Sequence, residues 1–160
     1  MQLNVYLESS FVSYLAAWPS RDLLTASNQE RTHTWWRRER PKYECCVSEL
    51  VLREITAGDT EAATRRLALV QDLPLLKTDE EVDTLTEVLL RERIVPGSAI
   101  RDAGHIALAA FHGIHFLLTW NCRHIANATI RRSLEAALSA RGYRCPIICT
   151  PTELMEEEEI

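Results

Sequence analysis

The run Ile114-His115-Phe116-Leu117-Leu118-Thr119 is almost entirely apolar and passes at once into Trp120-Asn121. A strand with so little polar alternation is covered on both faces. Such strands belong to parallel sheets whose crossover helices lie above and below. The flanks agree. Ahead of the run, Ala103, Ala107 and Ala110 repeat at helical spacing, with Ser98 placed to cap that helix. Behind it, Ile130, Leu134 and Ala137 form a second helical stripe that ends at Gly142.

Working outward, Leu3, Val5 and Leu7 alternate with Asn4 and Tyr6 and predict a first strand that ends in Glu8-Ser9-Ser10. Phe11 to Ala17 reads as a short helix stopped by Trp18-Pro19, and Ser20 caps a longer helix through Arg40. Tyr43 to Val47 reads as a second strand. Ser48 caps the next helix, which carries Val51 and Ile55 and stops at Gly58. Asp59 or Thr60 opens a helix with Ala63, Leu67 and Val70 on one face. Leu73 to Lys77 is a third strand. Thr78 and Glu81 form a capping box before a helix with Val82, Leu85 and Leu89, ended by Pro96-Gly97. Ile147 to Cys149 is the last strand, and Thr150, Pro151 and Glu153 cap a terminal turn. This alternation predicts the α/β class: a three-layer α/β/α sandwich with a mainly parallel five-stranded sheet.

The 160 residues fit one domain. With 46% hydrophobic and 26% charged residues, the chain is neither disordered, collagenous, coiled-coil nor a disulfide scaffold. The division expected is a domain over 1–155 and an acidic tail over 156–160, where Glu156 to Glu159 form a like-charge block. The net charge of −5 argues against coating of nucleic acid through bulk charge. Without those glutamates the remainder carries −1, so the total does not speak against a local phosphodiester site. Met1-Gln2-Leu3-Asn4 has no basic region followed by a long apolar one, so no signal peptide is expected. The apolar run Ile106 to Phe111 falls far short of the roughly 20 residues a membrane span needs. The five cysteines, with Cys45 and Cys46 adjacent, suit reduced thiols of a cytoplasmic protein.

In parallel sheets, ligands bind outside the carboxyl ends of the strands, at the switch point. Glu8 follows the first strand and Asn121 follows the buried one. Glu49 and Glu54 lie on the helix after the second strand, and Asp102 opens the helix before the buried one. Carboxylates converging on one crevice repel one another unless a cation neutralises them. Oxygen donors of this kind suit Mg²⁺ or Mn²⁺, the cations of phosphate chemistry. Taken singly, each acid also fits a solvated helix residue or a cap.

Four segments together carry a resemblance: Val5-Tyr6-Leu7-Glu8-Ser9-Ser10, Ser48-Glu49-Leu50-Val51-Leu52-Arg53-Glu54-Ile55, Asp102-Ala103-Gly104-His105-Ile106-Ala107 and Leu117-Leu118-Thr119-Trp120-Asn121. In this order and spacing they resemble the PIN-domain family, and within it the VapC-like toxins of toxin–antitoxin systems. The resemblance runs from residue 3 to about 155. It implies a PIN-like parallel α/β/α sandwich and metal-dependent endoribonuclease activity with Mg²⁺ or Mn²⁺. Glu8, Glu54 and Asp102 are then the metal ligands, and Asn121 joins them as a catalytic residue where many members have a fourth acid. Ser9, Ser10 and Thr119 would orient a water or the substrate phosphate, with His105 and His124 also at the substrate. RNA, an antitoxin protein and a second copy of the chain are the implied partners, with no membrane. Two residues depart from the family pattern. Glu8 is one methylene longer than the usual Asp, and Asn121 is neutral. They leave open an alternative, a catalytically weakened PIN-like module that binds RNA or a partner protein.

The remaining motifs have competing readings. Asp102 and His105 share a helix face, so His105 is either a hydrogen-bond partner of Asp102 or part of a metal pair. His124 and Asn127 form either a loop cap or a polar rim. Trp35-Trp36-Arg37-Arg38, with Arg40 and Lys42, is read first as a core Trp plus a solvated helix end. An interface comes second and an RNA-stacking patch third. A zinc set of Cys122, His124, Cys145 and Cys149 has poor spacing. No P-loop, dinucleotide-binding or Gly-x-Ser-x-Gly motif occurs.

Overall fold

The structure is a computed structural model that describes residues 1–157. The chain runs β1 (Asn4–Leu7), α1 (Ser9–Ala16), α2 (Leu23–Arg38), β2 (Glu44–Ser48), α3 (Glu49–Ile55), α4 (Thr60–Val70) and β3 (Leu75–Leu76). It continues through α5 (Glu80–Arg91), α6 (Ile100–Phe111), β4 (Phe116–Leu118), α7 (Ala128–Ala140) and β5 (Ile147–Cys149). The five strands form one sheet in the order β3-β2-β1-β4-β5, with every pairing parallel. Helix contacts fall into two sets. One joins α1 to α2, α3 and α4; the other joins α5 to α6 and α7, and α3 also meets α6. Right-handed crossovers place the helices after β1 and β2 on one face, and those after β3 and β4 on the other. The result is the expected three-layer PIN-like sandwich, with a sheet that is wholly parallel.

β1 is the central strand, and Val5, Tyr6 and Leu7 are fully buried along it, as are Leu117 and Leu118 on β4. The chain leaves β1 toward β2 and β3 on one side, while β4 and β5 lie on the other. The switch point is therefore between β1 and β4. Leu7 pairs with Leu118, so Glu8 and Thr119 leave the carboxyl edge side by side. The backbone N–H of Glu8 donates to the Leu118 carbonyl at 3.1 Å.

Several element boundaries differ from the sequence expectation, each for a local reason. α2 is capped by Asp22, which accepts from Thr25 N at 2.9 Å, while Ser20 Oγ accepts from Asp22 N ahead of it. That helix stops at Arg38, because Arg40–Lys42 turn into a 3₁₀ segment around Pro41. α5 is capped by Asp79 rather than Thr78, whose N–H instead donates to Glu49 Oε2 at 3.2 Å. The same helix ends at Arg91, ahead of Pro96-Gly97. Arg93 takes φ 56°, and Ile94 N closes on the Leu89 carbonyl at 3.0 Å. Ser98 does not cap α6, whose N-cap is Ala99 without a side-chain hydrogen bond. The first, third and buried strands are shorter than expected, because ladder pairing ends before the apolar runs do.

Asn28, Gln29, Glu30 and Arg31 make the middle of α2 polar, yet Gln29 and Thr32 are buried. Gln29 bonds Ser20 N and the Trp18 carbonyl, and Thr32 Oγ1 accepts from Trp120 Nε1 at 2.8 Å. Trp35 is a core residue, as first read. It stacks on Tyr43, and its Nε1 donates to the Leu154 carbonyl at 2.8 Å. Trp36 is covered by the Arg40 guanidinium. Of the acidic tail, Glu156 pairs with Lys42 at 2.9 Å; residues 158–160 lie outside the described residues.

Candidate active site

Glu8 ends β1 in extended backbone and caps α1. Its Oε2 accepts the backbone N–H of Ser10 at 2.9 Å, the Ser10 hydroxyl, and the Thr119 hydroxyl at 2.9 Å. Ser10 Oγ in turn accepts Trp120 N at 2.8 Å, and Thr119 Oγ1 accepts Asn121 N at 2.9 Å. The two strand ends are thus sewn together around one carboxylate oxygen. The helix dipole adds to this, because an anion at a helix N-terminus is stabilised. The other oxygen, Oε1, lies 4.0 Å from His105 Nε2 and accepts no hydrogen bond among the described residues.

Glu54 lies in the last turn of α3, where the helix field disfavours an anion. Its Oε1 accepts the Ser9 hydroxyl at 2.8 Å and is bonded to His105 Nε2. Oε2 is 3.9 Å from the Arg101 guanidinium. Burial pushes the Glu54 carboxyl up, but the His105 bond and field, with Ser9 and Arg101, outweigh it and hold the group below its ordinary value.

His105 is fully buried on α6, and its Nδ1 is 2.6 Å from the Tyr6 hydroxyl. Tyr6 is also 2.7 Å from Ser48 Oγ, which caps α3 by accepting Val51 N at 3.1 Å. Burial raises the Tyr6 phenol well above its ordinary range, with the Ser48 hydrogen bond opposing, so the phenol keeps its proton. His105 therefore contacts Glu54 and Tyr6 inside the protein, not Asp102 and not solvent.

Asp102 sits in the first turn of α6, and its Oδ2 is 3.0 Å from His124 Nδ1. Asn121 Oδ1 accepts the N–H groups of Arg123 at 3.2 Å and His124 at 3.0 Å, folding the loop that brings His124 to Asp102. Asn127 caps α7 through Thr129 N, the loop-cap role rather than the rim.

Among the described residues, one group of three or more His, Cys, Asp or Glu lies close enough to share an ion. It is Glu8, Glu54 and His105, whose ligand atoms are within 4.8 Å of one another. Cys122, His124, Cys145 and Cys149 form no such group. Asp102 lies outside the group, three residues ahead of His105 on the same helix face. Ser9, Ser10 and Thr119 direct their hydroxyls at the carboxylates of Glu8 and Glu54. Tyr6 and Ser48 are the polar residues that the sequence reading missed. Tyr6 reads as one more strand position and Ser48 as a cap, and nothing local signals their pairing across the sheet.

The donor set suits a hard divalent cation. Glu8 and Glu54 each have one oxygen held by protein donors; the other oxygen lies 4.0 Å from His105 Nε2 in Glu8 and 3.9 Å from the Arg101 guanidinium in Glu54. Beside it, a groove of about 250 Å³ between α3, α5 and α6 is lined by Leu50, Arg53, Ile100, Arg101 and Gly104, among others. Arg53 and Arg101 directly precede Glu54 and Asp102 in the chain.

No family model matches the chain, and no curated protein matches it. Solved structures do. The toxin VapC20 of Mycobacterium tuberculosis, described as cleaving the sarcin-ricin loop, aligns with TM-score 0.56 at 18% identity over 87% of this chain and 95% of its own. VapBC2 of Rickettsia felis, bound to a DNA fragment from its promoter, aligns with TM-score 0.59 at 12% identity over 92% of this chain and 98% of its own. At such identities the common property is the fold, and this chain has the VapC-type PIN fold.

Proposed function

We propose that the protein is a Mg²⁺- or Mn²⁺-dependent endoribonuclease of the PIN type, acting in the cytoplasm as a homodimer and as the toxin of a toxin–antitoxin pair. The observation that carries this is the paired arrangement of Glu8 and Glu54 at the β1–β4 switch point. Each carboxylate is pinned by hydroxyl donors through one oxygen, and the other accepts no hydrogen bond among the described residues, though Glu54 Oε2 faces Arg101 at 3.9 Å. Two carboxylates held this close at the carboxyl edge of the sheet repel one another unless a cation neutralises them. The neighbours support the partners: one is described as cleaving the sarcin-ricin loop and another is VapBC2 bound to a DNA fragment from its promoter.

In this reading Glu8 and Glu54 would hold the cation, Asp102, outside their group but one turn of α6 from His105, would complete the set, and Asn121 shapes the loop that carries His124. When bound, the cation supplies Lewis-acid stabilisation of phosphoryl charge and lowers the pKa of a coordinated water. Arg53 and Arg101 meet the phosphates on either side of the cleaved bond, and the groove between α3 and α6 takes the strand. Water adds to phosphorus in line with the leaving ribose oxygen, whose bond to phosphorus breaks. The domain occupies 1–155, followed in sequence by the acidic residues 156–160.

The test is cleavage of structured and single-stranded RNA with Mg²⁺ or Mn²⁺, comparing the unaltered protein with Asp102→Ala and Glu54→Gln. Loss of cleavage in both variants and in EDTA is expected. Equal cleavage by Asp102→Ala, or activity that survives EDTA, overturns the mechanism. A second reading, a weakened PIN-like module that binds RNA or a partner protein, is favoured by the Asp102–His124 bond and the neutral Asn121. Calorimetry separates the two, since no binding at millimolar Mn²⁺ selects the module.

A further inference from the structure

We propose that His105 is a positioning residue and not a metal ligand: with Tyr6 and Ser48 it forms a buried proton-ordered chain that presents Glu54 to a divalent cation. The inference rests on reading Glu8 and Glu54 as cation ligands, and it assigns the third member of their cluster a different task.

The direction of the chain follows from counting donors and acceptors. Ser48 Oγ already accepts Val51 N–H, so its own proton has one partner among the described residues, the Tyr6 oxygen at 2.7 Å. The Tyr6 oxygen, which takes the Ser48 proton, gives its own hydroxyl proton to the nearest remaining acceptor, His105 Nδ1 at 2.6 Å. With Nδ1 accepting, the ring proton is on Nε2, and Nε2–H points at Glu54 Oε1. Every group in the chain is then satisfied once. The reverse direction leaves the Ser48 proton with no acceptor in a site that is fully buried.

Two consequences separate this from coordination. A nitrogen that carries the proton donated to Glu54 has no lone pair for a cation. And Glu54 Oε1, which takes both His105 Nε2–H and Ser9 O–H, is fixed in rotation about its terminal bond, which turns Oε2 outward toward Arg101. The same logic holds at Glu8, where Ser10 and Thr119 saturate one oxygen and leave the other. The chain begins in the core at the cap of α3, the helix that carries Glu54, so the helix and its carboxylate are positioned by one set of bonds. Outer partners of this kind typically contribute 10–100-fold to metal affinity.

The experiment measures Mn²⁺ affinity by calorimetry for the unaltered protein and for His105→Leu, His105→Gln and Tyr6→Phe, with circular dichroism to show that each variant is folded. His105→Leu is expected to weaken Mn²⁺ binding roughly 10–100-fold. His105→Gln, whose side-chain amide can still donate to Glu54, recovers most of that loss, and Tyr6→Phe loses severalfold. Pulsed electron paramagnetic resonance on the Mn²⁺-loaded protein is expected to show no coupling to a coordinated imidazole nitrogen. Such a coupling, abolished in His105→Leu, overturns the inference and makes His105 a ligand. So does unchanged affinity in a folded His105→Leu. Absence of any Mn²⁺ binding by the unaltered protein overturns the metal reading and this inference with it, an outcome distinct from the other two. If His105→Leu does not fold, Tyr6→Phe decides alone: a folded variant with unaltered affinity is a refutation.

Discussion

Thr119→Val tests the strand-end clasp directly. The two side chains have nearly the same shape, so the change removes a hydroxyl without opening a cavity. Thr119 is fully buried, donates to Glu8 Oε2 at 2.9 Å and accepts Asn121 N–H at 2.9 Å. A hydrogen bond to a charged group contributes roughly 1.5–3 kcal/mol net, and an orphaned N–H costs about 1–3 kcal/mol when dry. Asn121 is only half-buried, so water reaches its N–H and the low end applies. The added methyl returns about 1 kcal/mol through burial. Ser10 keeps two bonds to the same carboxylate oxygen, so Glu8 stays partly held. The balance is a loss of about 1.5–3 kcal/mol, or roughly 3–12 °C in Tm for a chain of this size. Urea unfolding followed by circular dichroism measures it, with Thr119→Ser as the control that keeps the hydroxyl and loses only a methyl. Thr119→Val as stable as the unaltered protein, or less damaging than Thr119→Ser, refutes the claim that the hydroxyl clasps the two strands.

Trp35→Phe removes the bond to the Leu154 carbonyl and part of the stacking on Tyr43. It should cost about 2–3 kcal/mol, less than a truncation to Ala, read as a fall in the urea midpoint. The thiols of Cys45, Cys46 and Cys149 are pushed by burial to about 11, about 12 and about 12. They should resist a thiol reagent at pH 8 until the protein unfolds, while the exposed Cys122 reacts first. These folded thiols keep their protons to higher pH than unfolded ones do. Their contribution to stability is therefore complete below pH about 9 and falls as the pH rises toward 11–12, which urea midpoints along that range will show. Asn121→Asp retains the acceptor for the Arg123 and His124 N–H groups and adds a charge beside the site. Unchanged stability and a roughly tenfold gain in Mn²⁺ affinity, about 1.4 kcal/mol, are expected by calorimetry.

The sheet was legible because parallel strands covered on both faces leave continuous apolar runs, and Ile114–Thr119 is one. The caps were less so. Ser20, Thr78 and Ser98 are plausible caps, but Asp22 and Asp79 were the acceptors used and α6 has no side-chain cap. Adjacent polar residues compete for one helix end, and the backbone path between elements decides among them. Glu8 and Glu54 were visible as acids at strand and helix ends. Their partners were only half visible. The pairing of His105 with Glu54 spans 51 positions, and that of Tyr6 with His105 spans 99. No periodicity encodes such separations, so the nearer acid, Asp102, was the natural but mistaken partner for His105.

The extra methylene of Glu8 is the sequence feature that most invites a reading of lost function, and the structure argues otherwise. An Asp at this position would already serve well as an N-cap, and Asp is among the preferred caps. The longer side chain does something a cap alone does not require. It reaches across the switch point to the Thr119 hydroxyl on the far side of the β1–β4 pair while still accepting Ser10 N–H. Shortening it by one C–C bond, about 1.5 Å, withdraws the carboxylate from Thr119 and from the space it shares with Glu54. Glu8→Asp should therefore leave α1 capped, with stability changed by no more than about 1 kcal/mol beyond the lost Thr119 bond. It should weaken Mn²⁺ binding severalfold or more. If Glu8 were instead a damaged relic of an Asp site, the same substitution would restore the geometry and tighten binding. Calorimetry on this one variant gives opposite signs for the two accounts, and tighter binding by Glu8→Asp ends the claim that the site is built around a glutamate.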